Sequence, residues 1–176
     1  SLCQMISEAD LKYLLIDHHL DPEDFDDYRF WSSEAAAACQ LVYLLIQELV
    51  DDHLVNKQIA TCLFTGLLTD TGCFKHSNTT AEVHLTAAYL LQKGANQEKI
   101  NRKLYDTNSA SRLKLLGHTL LNCLHVEQDA HTAYIVIDQN TTEDFNIQSG
   151  DTEGLVNYAL SLDGIIFAVL IKWSVE

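Results

Sequence analysis

Proline is nearly missing from this sequence: Pro22 is the single one in 176 residues. With only 7 glycines and no Gly/Ser/Pro tract, the composition gives no disordered linker. No stretch approaches the roughly twenty apolar residues of a membrane helix, and no basic segment precedes an apolar run near Ser1, so neither a membrane partner nor a secretory leader is expected. Basic residues are scarce, 11 Lys+Arg against 25 Asp+Glu, for a formal charge of −14. Duplex binding draws its affinity from lysine and arginine neutralising phosphates, which argues against long duplex nucleic acid as a partner. A short phosphorylated ligand stays compatible, because bound divalent cations reverse the sign of the field around themselves. The five cysteines form no CxxC pair, and their odd number leaves one unpaired in any intramolecular disulfide scheme. A reducing, cytoplasmic setting is the expectation.

What is present is apolar: 47% of the residues, enough for a buried core. Tyr13-Leu14-Leu15-Ile16 is a short apolar run ending abruptly at Asp17-His18-His19, the pattern of a buried parallel strand that delivers polar groups at its carboxyl end. Ligand sites favour that edge of an α/β sheet. Ser32-Ser33 are N-cap candidates for a largely buried helix from Glu34 to about Asp52. Asn56 is placed to cap another helix, which runs through Ile59, Leu63 and Leu67 into Thr69-Asp70-Thr71-Gly72. Helical spacing returns from Ala81 to Gly94, a C′ candidate, then over about 97–105 and 110–124.

Beyond His125 the pattern changes. Thr132 to Asp138 and Ile165 to Ile171 read as strands flanking a helix over Thr152 to Leu162. The expected fold class is α/β: a helix-rich parallel-sheet domain over 1–127, followed by part of a smaller α/β domain over 128–176.

An Asp-His-His triplet at a strand end places one oxygen and two nitrogen ligands together, a set suited to a divalent ion such as Mn²⁺. Taken alone, the histidines read equally well as loop residues hydrogen-bonded to carboxylates. Asp70 alone reads as a helix-end aspartate. Together, His18 and Asp70 could share one metal and leave open positions for water and a phosphate oxygen. Lys75 and His76 follow the second motif and are weaker candidates for phosphate contact. Arg112 and Lys114 read as solvated surface charges, and His53, His84, His118, His125 and His131 as structural.

The run LLIDHH (Leu14 to His19), then TGLLTDTGCF (Thr65 to Phe74) with SNTT (Ser77 to Thr80), and GDTEGLVNYAL (Gly150 to Leu160) resemble successive motifs of the DHH phosphoesterases. The resemblance is strongest to the branch with a DHHA1 second domain, which includes nanoRNases and 3′-phosphoadenosine-5′-phosphate phosphatases. It implies that His18 and Asp70 ligate one of two Mn²⁺ ions, with Mg²⁺ as an alternative. It also implies that His19 lies beside the scissile phosphate and Asp17 orients the site. Catalytic candidates are therefore Asp17, His18, His19 and Asp70. The implied reaction is hydrolysis of short oligoribonucleotides or of a phosphorylated nucleotide, with a homodimer among the assemblies it allows.

The family's earlier aspartate motifs have no counterpart here, since Glu8 and Asp10 lie too close to the strand, and neither has its later GGGH segment. The expectation is a portion of a longer protein, weakly active by itself. Other readings stay open: a RecJ-like exonuclease, a cyclic-dinucleotide phosphodiesterase, an enzyme of inorganic polyphosphate, or a non-catalytic regulatory or scaffold domain of the same fold.

Overall fold

A computed structural model describes residues 11–49 and 54–173. By packing, the chain divides into two compact units, Ser1–Leu104 and Tyr105–Glu176. The 127/128 division drawn above falls inside the second of these units.

In the first unit, strand β1 (Leu14–Asp17) pairs in parallel with β2 (Tyr28–Trp31), setting Asp17 opposite Trp31. The sequence pattern gave no sign of β2, because its residues are largely exposed. What folds it back is charge. Arg29 donates to Asp24 at 2.5 Å and to both carboxylate oxygens of Asp26, while Asp27 ties to Lys12 and to the Tyr13 amide. One guanidinium thus neutralises part of an acidic loop that would otherwise repel itself, and it holds the Asp26 carboxyl below the usual range.

Three helices follow and supply the core: α1 (Ala38–Leu49), α2 (Lys57–Asp70) and α3 (Ala81–Gln92). Phe64, Leu67, Leu68, Val83 and Leu90 are almost wholly buried beside Ala36, Ala37 and Ala60. Asn56 caps α2 as expected, its side-chain oxygen accepting from the Ile59 amide. The chain turns after α3 at Gly94, and α4 (Gln97–Tyr105) buries Ile100. No helix of the described residues is long and apolar enough to cross a membrane.

Helix α1 starts at Ala38, so the expected start at Glu34 with a Ser32-Ser33 cap is corrected. Ala36 and Ala37 before it are buried and Ala35 is half-buried, yet their backbone groups are bonded off-helix: the Ala36 amide donates to Gln40 Oε1 at 2.8 Å, and the Ala35 and Ala36 carbonyls face other side chains. Tertiary partners override alanine's helix preference there. The expected end near Asp52 lies outside the described residues.

In the second unit, α5 (Ala110–His118) widens into a π-helical turn over Thr119–Cys123, so helical structure runs nearly to the expected end at 124. A three-stranded sheet follows, in the order β3 (Leu124–Glu127), β4 (Thr132–Ile137), β5 (Phe167–Lys172). β3 is antiparallel and β5 parallel to β4. Ala133, Ile135 and Ile137 alternate into a core with Leu155, Ala159 and Ile165. Between β4 and β5 lie α6 (Gln139–Asp144), capped by Asp138, and α7 (Leu155–Leu160). The architecture is α/β, as the sequence indicates.

Helices α1 and α2 approach closely at Gly66, where a Cβ would overlap Cys39 Sγ. Gly66→Ala should cost about 1–3 kcal/mol of stability through overpacking. In urea unfolding, the loss should shrink in the Cys39→Ala background, which removes the obstructing sulfur. Equal losses in both backgrounds would contradict this account of the crossing.

Candidate active site

All four candidate residues lie in the first unit. β1 ends at Asp17, whose Oδ1 accepts from the backbone amides of His18 at 2.8 Å and His19 at 3.3 Å, closing a tight turn. The same oxygen meets His19 Nδ1 at 2.6 Å. With an ionised acceptor there, Nδ1 carries the hydrogen and His19 turns Nε2 outward, its ring largely exposed. The His19 contact first, then the two amides, hold the Asp17 carboxyl below the usual range against the opposing effect of desolvation. Trp31 Nε1 donates to the His19 carbonyl at 2.7 Å and braces the turn from β2.

His18 points the other way. Its Nδ1 lies 3.3 Å from the Ala35 carbonyl and can only donate there, which leaves Nε2 as a bare lone pair in the neutral ring. That nitrogen faces Asp70 Oδ2 at 3.6 Å, and the ring centroids of His18 and His19 are 4.8 Å apart. Asp17, His18, His19 and Asp70 therefore form one cluster in which His18 and Asp70 converge.

Asp70 is delivered by the last residue of α2, and the chain beyond it reverses sharply. Gly72, Cys73 and Phe74 all have positive φ, at 55°, 60° and 63°. Of these three successive left-handed residues, the two that are not glycine carry strain on the order of 1–2 kcal/mol each. Buried bonds offset it: the Thr71 carbonyl accepts from the Lys75 and His76 amides, and the Thr71 hydroxyl accepts from the Phe74 amide. A side chain at Gly72 would also strike the His76 ring. The exposed His76 packs over this turn, and Lys75 beside it is exposed as well.

The pair has the chemistry of a partial metal site. An imidazole nitrogen and a carboxylate oxygen 3.6 Å apart are too far for a good hydrogen bond, yet both lie within reach of one cation with bonds of about 2.1 Å. Among the described residues, no group of three or more His, Cys, Asp or Glu side chains gathers around an ion position. Cys39 does not join, because burial pushes its thiol up and the Asp70 charge adds to that effect.

Of the remaining candidates, Arg112 donates to the Glu153 carbonyl within the second unit, and His125 stacks on Tyr134. His131 bonds the Gly164 carbonyl, His84 lies against Phe74, and His118 packs on Phe145 beside Asn122. His53, Glu8 and Asp10 lie outside the described residues. Trp31 and the Ala35 carbonyl are participants that sequence reasoning missed: a lone tryptophan and an alanine backbone carry no chemical signature.

Comparison with known proteins places these features among relatives. No protein-family model matches the chain. It is 32% identical to a bifunctional oligoribonuclease and PAP phosphatase NrnA of Thermus thermophilus over 158 residues, 89% of this chain and 46% of that protein. A Bacillus subtilis protein of the same name is 27% identical over 156 residues, covering 88% and 49%. Among solved structures, an exopolyphosphatase-related protein of Bacteroides fragilis superposes with a TM-score of 0.89 at 34% identity, over 93% of this chain and 48% of that one. The chain spans about half the length of these relatives.

If the His19 imidazole is the main cause of the lowered Asp17 pKa, His19→Ala should return that pKa toward its ordinary value of 3.8. Carboxyl carbon NMR titration reads this directly. A depressed carboxylate contributes stability above its ordinary pKa and loses that contribution as pH falls through the lowered value, so the wild type should hold the turn to lower pH than the variant.

Proposed function

From the premise that this chain is a homologue of the bifunctional oligoribonucleases and PAP phosphatases, we propose that it carries part of the catalytic centre of a Mn²⁺-dependent phosphoesterase. Its substrates are short oligoribonucleotides and 3′-phosphoadenosine 5′-phosphate. The observation that carries the reading is the His18–Asp70 pair, an imidazole nitrogen and a carboxylate oxygen aimed at each other 3.6 Å apart. Without a proton or a cation between them, two lone pairs so placed repel.

His18 and Asp70 hold one divalent ion in this reading, Mn²⁺ or alternatively Mg²⁺. The pair supplies donors for one ion, and a two-ion centre takes further ligands. Bound there, a divalent ion polarises a phosphoryl oxygen and makes a coordinated water a better nucleophile. The chain's own residues do the rest. Asp17 fixes the turn that aims both imidazoles, and His19, exposed and held through Nδ1, turns Nε2 outward, where the doubly protonated ring would donate to a phosphoryl oxygen or a leaving group. The charge of −14 disfavours long polyanions and leaves short substrates drawn by a local cation.

Inorganic polyphosphate, suggested by the name of the Bacteroides relative, is the second substrate class to test. The native protein, supplied with Mn²⁺, should release mononucleotides from diribonucleotides and phosphate from adenosine bisphosphate. His18→Ala and Asp70→Asn should each lower turnover by roughly a hundredfold or more and reduce bound Mn²⁺ by elemental analysis. A protein that purifies without Mn²⁺, takes none up and turns over none of these substrates is a scaffold rather than an enzyme.

A further inference from the structure

Behind the facing pair sits a side chain with no part in the chemistry above. Asn78 donates both hydrogens of its amide to backbone carbonyls, one to Ala36 and one to Asp70, each at 3.1 Å. Ala36 adjoins Ala35, whose carbonyl fixes His18 Nδ1. A single amide thus joins the segment that orients His18 to the helix end that delivers Asp70. We propose that Asn78 is the positioning residue of this site, setting the His18–Asp70 separation and holding His18 in the tautomer that leaves Nε2 bare. The metal-binding consequence rests on the reading of that pair as a cation site.

Three observations carry the proposal. First, the two bonds span 42 and 8 residues of sequence and converge on one side chain, so they cross-link the site rather than decorate a local turn. Second, Asn78 Oδ1 is buried and finds no partner among the described residues, although buried acceptors ordinarily find one. The position keeps an amide for its two donors and tolerates an idle acceptor. Serine offers one donor and aspartate none, so nothing of this length replaces both bonds. Third, the strained left-handed turn at 72–74 brings the chain back to where Asn78 can reach under the end of α2.

The test uses the native protein and four variants. Asn78→Asp keeps the shape but sets a carboxylate against two carbonyls. Asn78→Ser keeps one donor. Asn56→Ala is the structural control, since it removes the cap at the far end of the same helix. His18→Ala reports whether Mn²⁺ binds at this pair at all.

Mn²⁺ titrations followed by electron paramagnetic resonance should show a dissociation constant ten- to a hundredfold higher for Asn78→Asp, the usual effect of losing a residue that orients a ligand. Asn78→Ser should show a smaller rise. Asn56→Ala should lower the melting temperature and leave Mn²⁺ affinity within about twofold of wild type. Independently of metal, nitrogen NMR of His18 should show one Nδ1–H tautomer in wild type and Asn56→Ala, and a mixture in both Asn78 variants.

Wild-type binding that disappears with His18→Ala but is unmoved in folded Asn78→Asp or Asn78→Ser overturns this inference and leaves the metal reading standing. Binding indifferent to His18→Ala removes the metal reading, and the NMR comparison then decides the positioning role alone. An unchanged tautomer in the Asn78 variants refutes it. Should Asn78→Asp fail to fold, the single-donor Asn78→Ser variant and its tautomer decide.

Discussion

A bare imidazole nitrogen facing a carboxylate oxygen at 3.6 Å is an arrangement a protein has to enforce. Left free, His18 could rotate, change tautomer or take a proton to complete a hydrogen bond with Asp70. Rotation and tautomer change are opposed by backbone. The Ala35 carbonyl occupies Nδ1, and Asp17 with the Trp31 indole fixes the turn on which His18 stands. Because the restraints come from carbonyls and amides of ordered segments, the facing geometry is part of the fold and precedes any ligand.

Helix α2 is the beam on which this depends. Its middle is clamped in the core by Phe64, Leu67 and Leu68 and by the close approach of α1 at Gly66, so its last residue has little freedom. Asp70 therefore inherits the rigidity of a helix although it sits at an exposed end. The turn that follows is strained, and that strain is tolerable only because Thr71, fully buried, gathers three backbone amides. Core packing, helix termination and site geometry are thus a single mechanical problem.

Much of this is legible in the residues. The apolar run before Asp17 specifies a strand, although β1 is half-exposed rather than buried, the Asn56 cap and the apolar spacing specify α2, and β-branched residues specify β4, all local signals. What the sequence conceals are features set by distant partners. Alanines 35 to 37 read as helix because their propensity is helical, yet their backbone is committed to His18, Asn78 and Gln40. β2 is hidden because its pairing is held by an arginine among acids rather than by an apolar pattern. The four candidate residues could be named from motifs. Their convergence required the fold.

The acidic charge and the proposed substrate class are compatible for a reason that bears on size. Of the acids near the site, Asp24, Asp26 and Asp27 spend their charge on Arg29 and Lys12, and Asp17 spends its on His19 and two amides. Asp70 faces His18 Nε2 and accepts from the Thr69 hydroxyl at 3.3 Å, without a lysine or arginine partner among the described residues, which leaves its carboxylate open to a cation. One divalent ion there changes the local sign within a few ångströms, whereas at physiological salt the rest of the surface acts over a Debye length of about 8 Å. A ligand of one or two phosphates lies inside the first range. In the proposed reading a long strand would extend beyond it into the repulsive field, which is the physical ground for proposing short substrates.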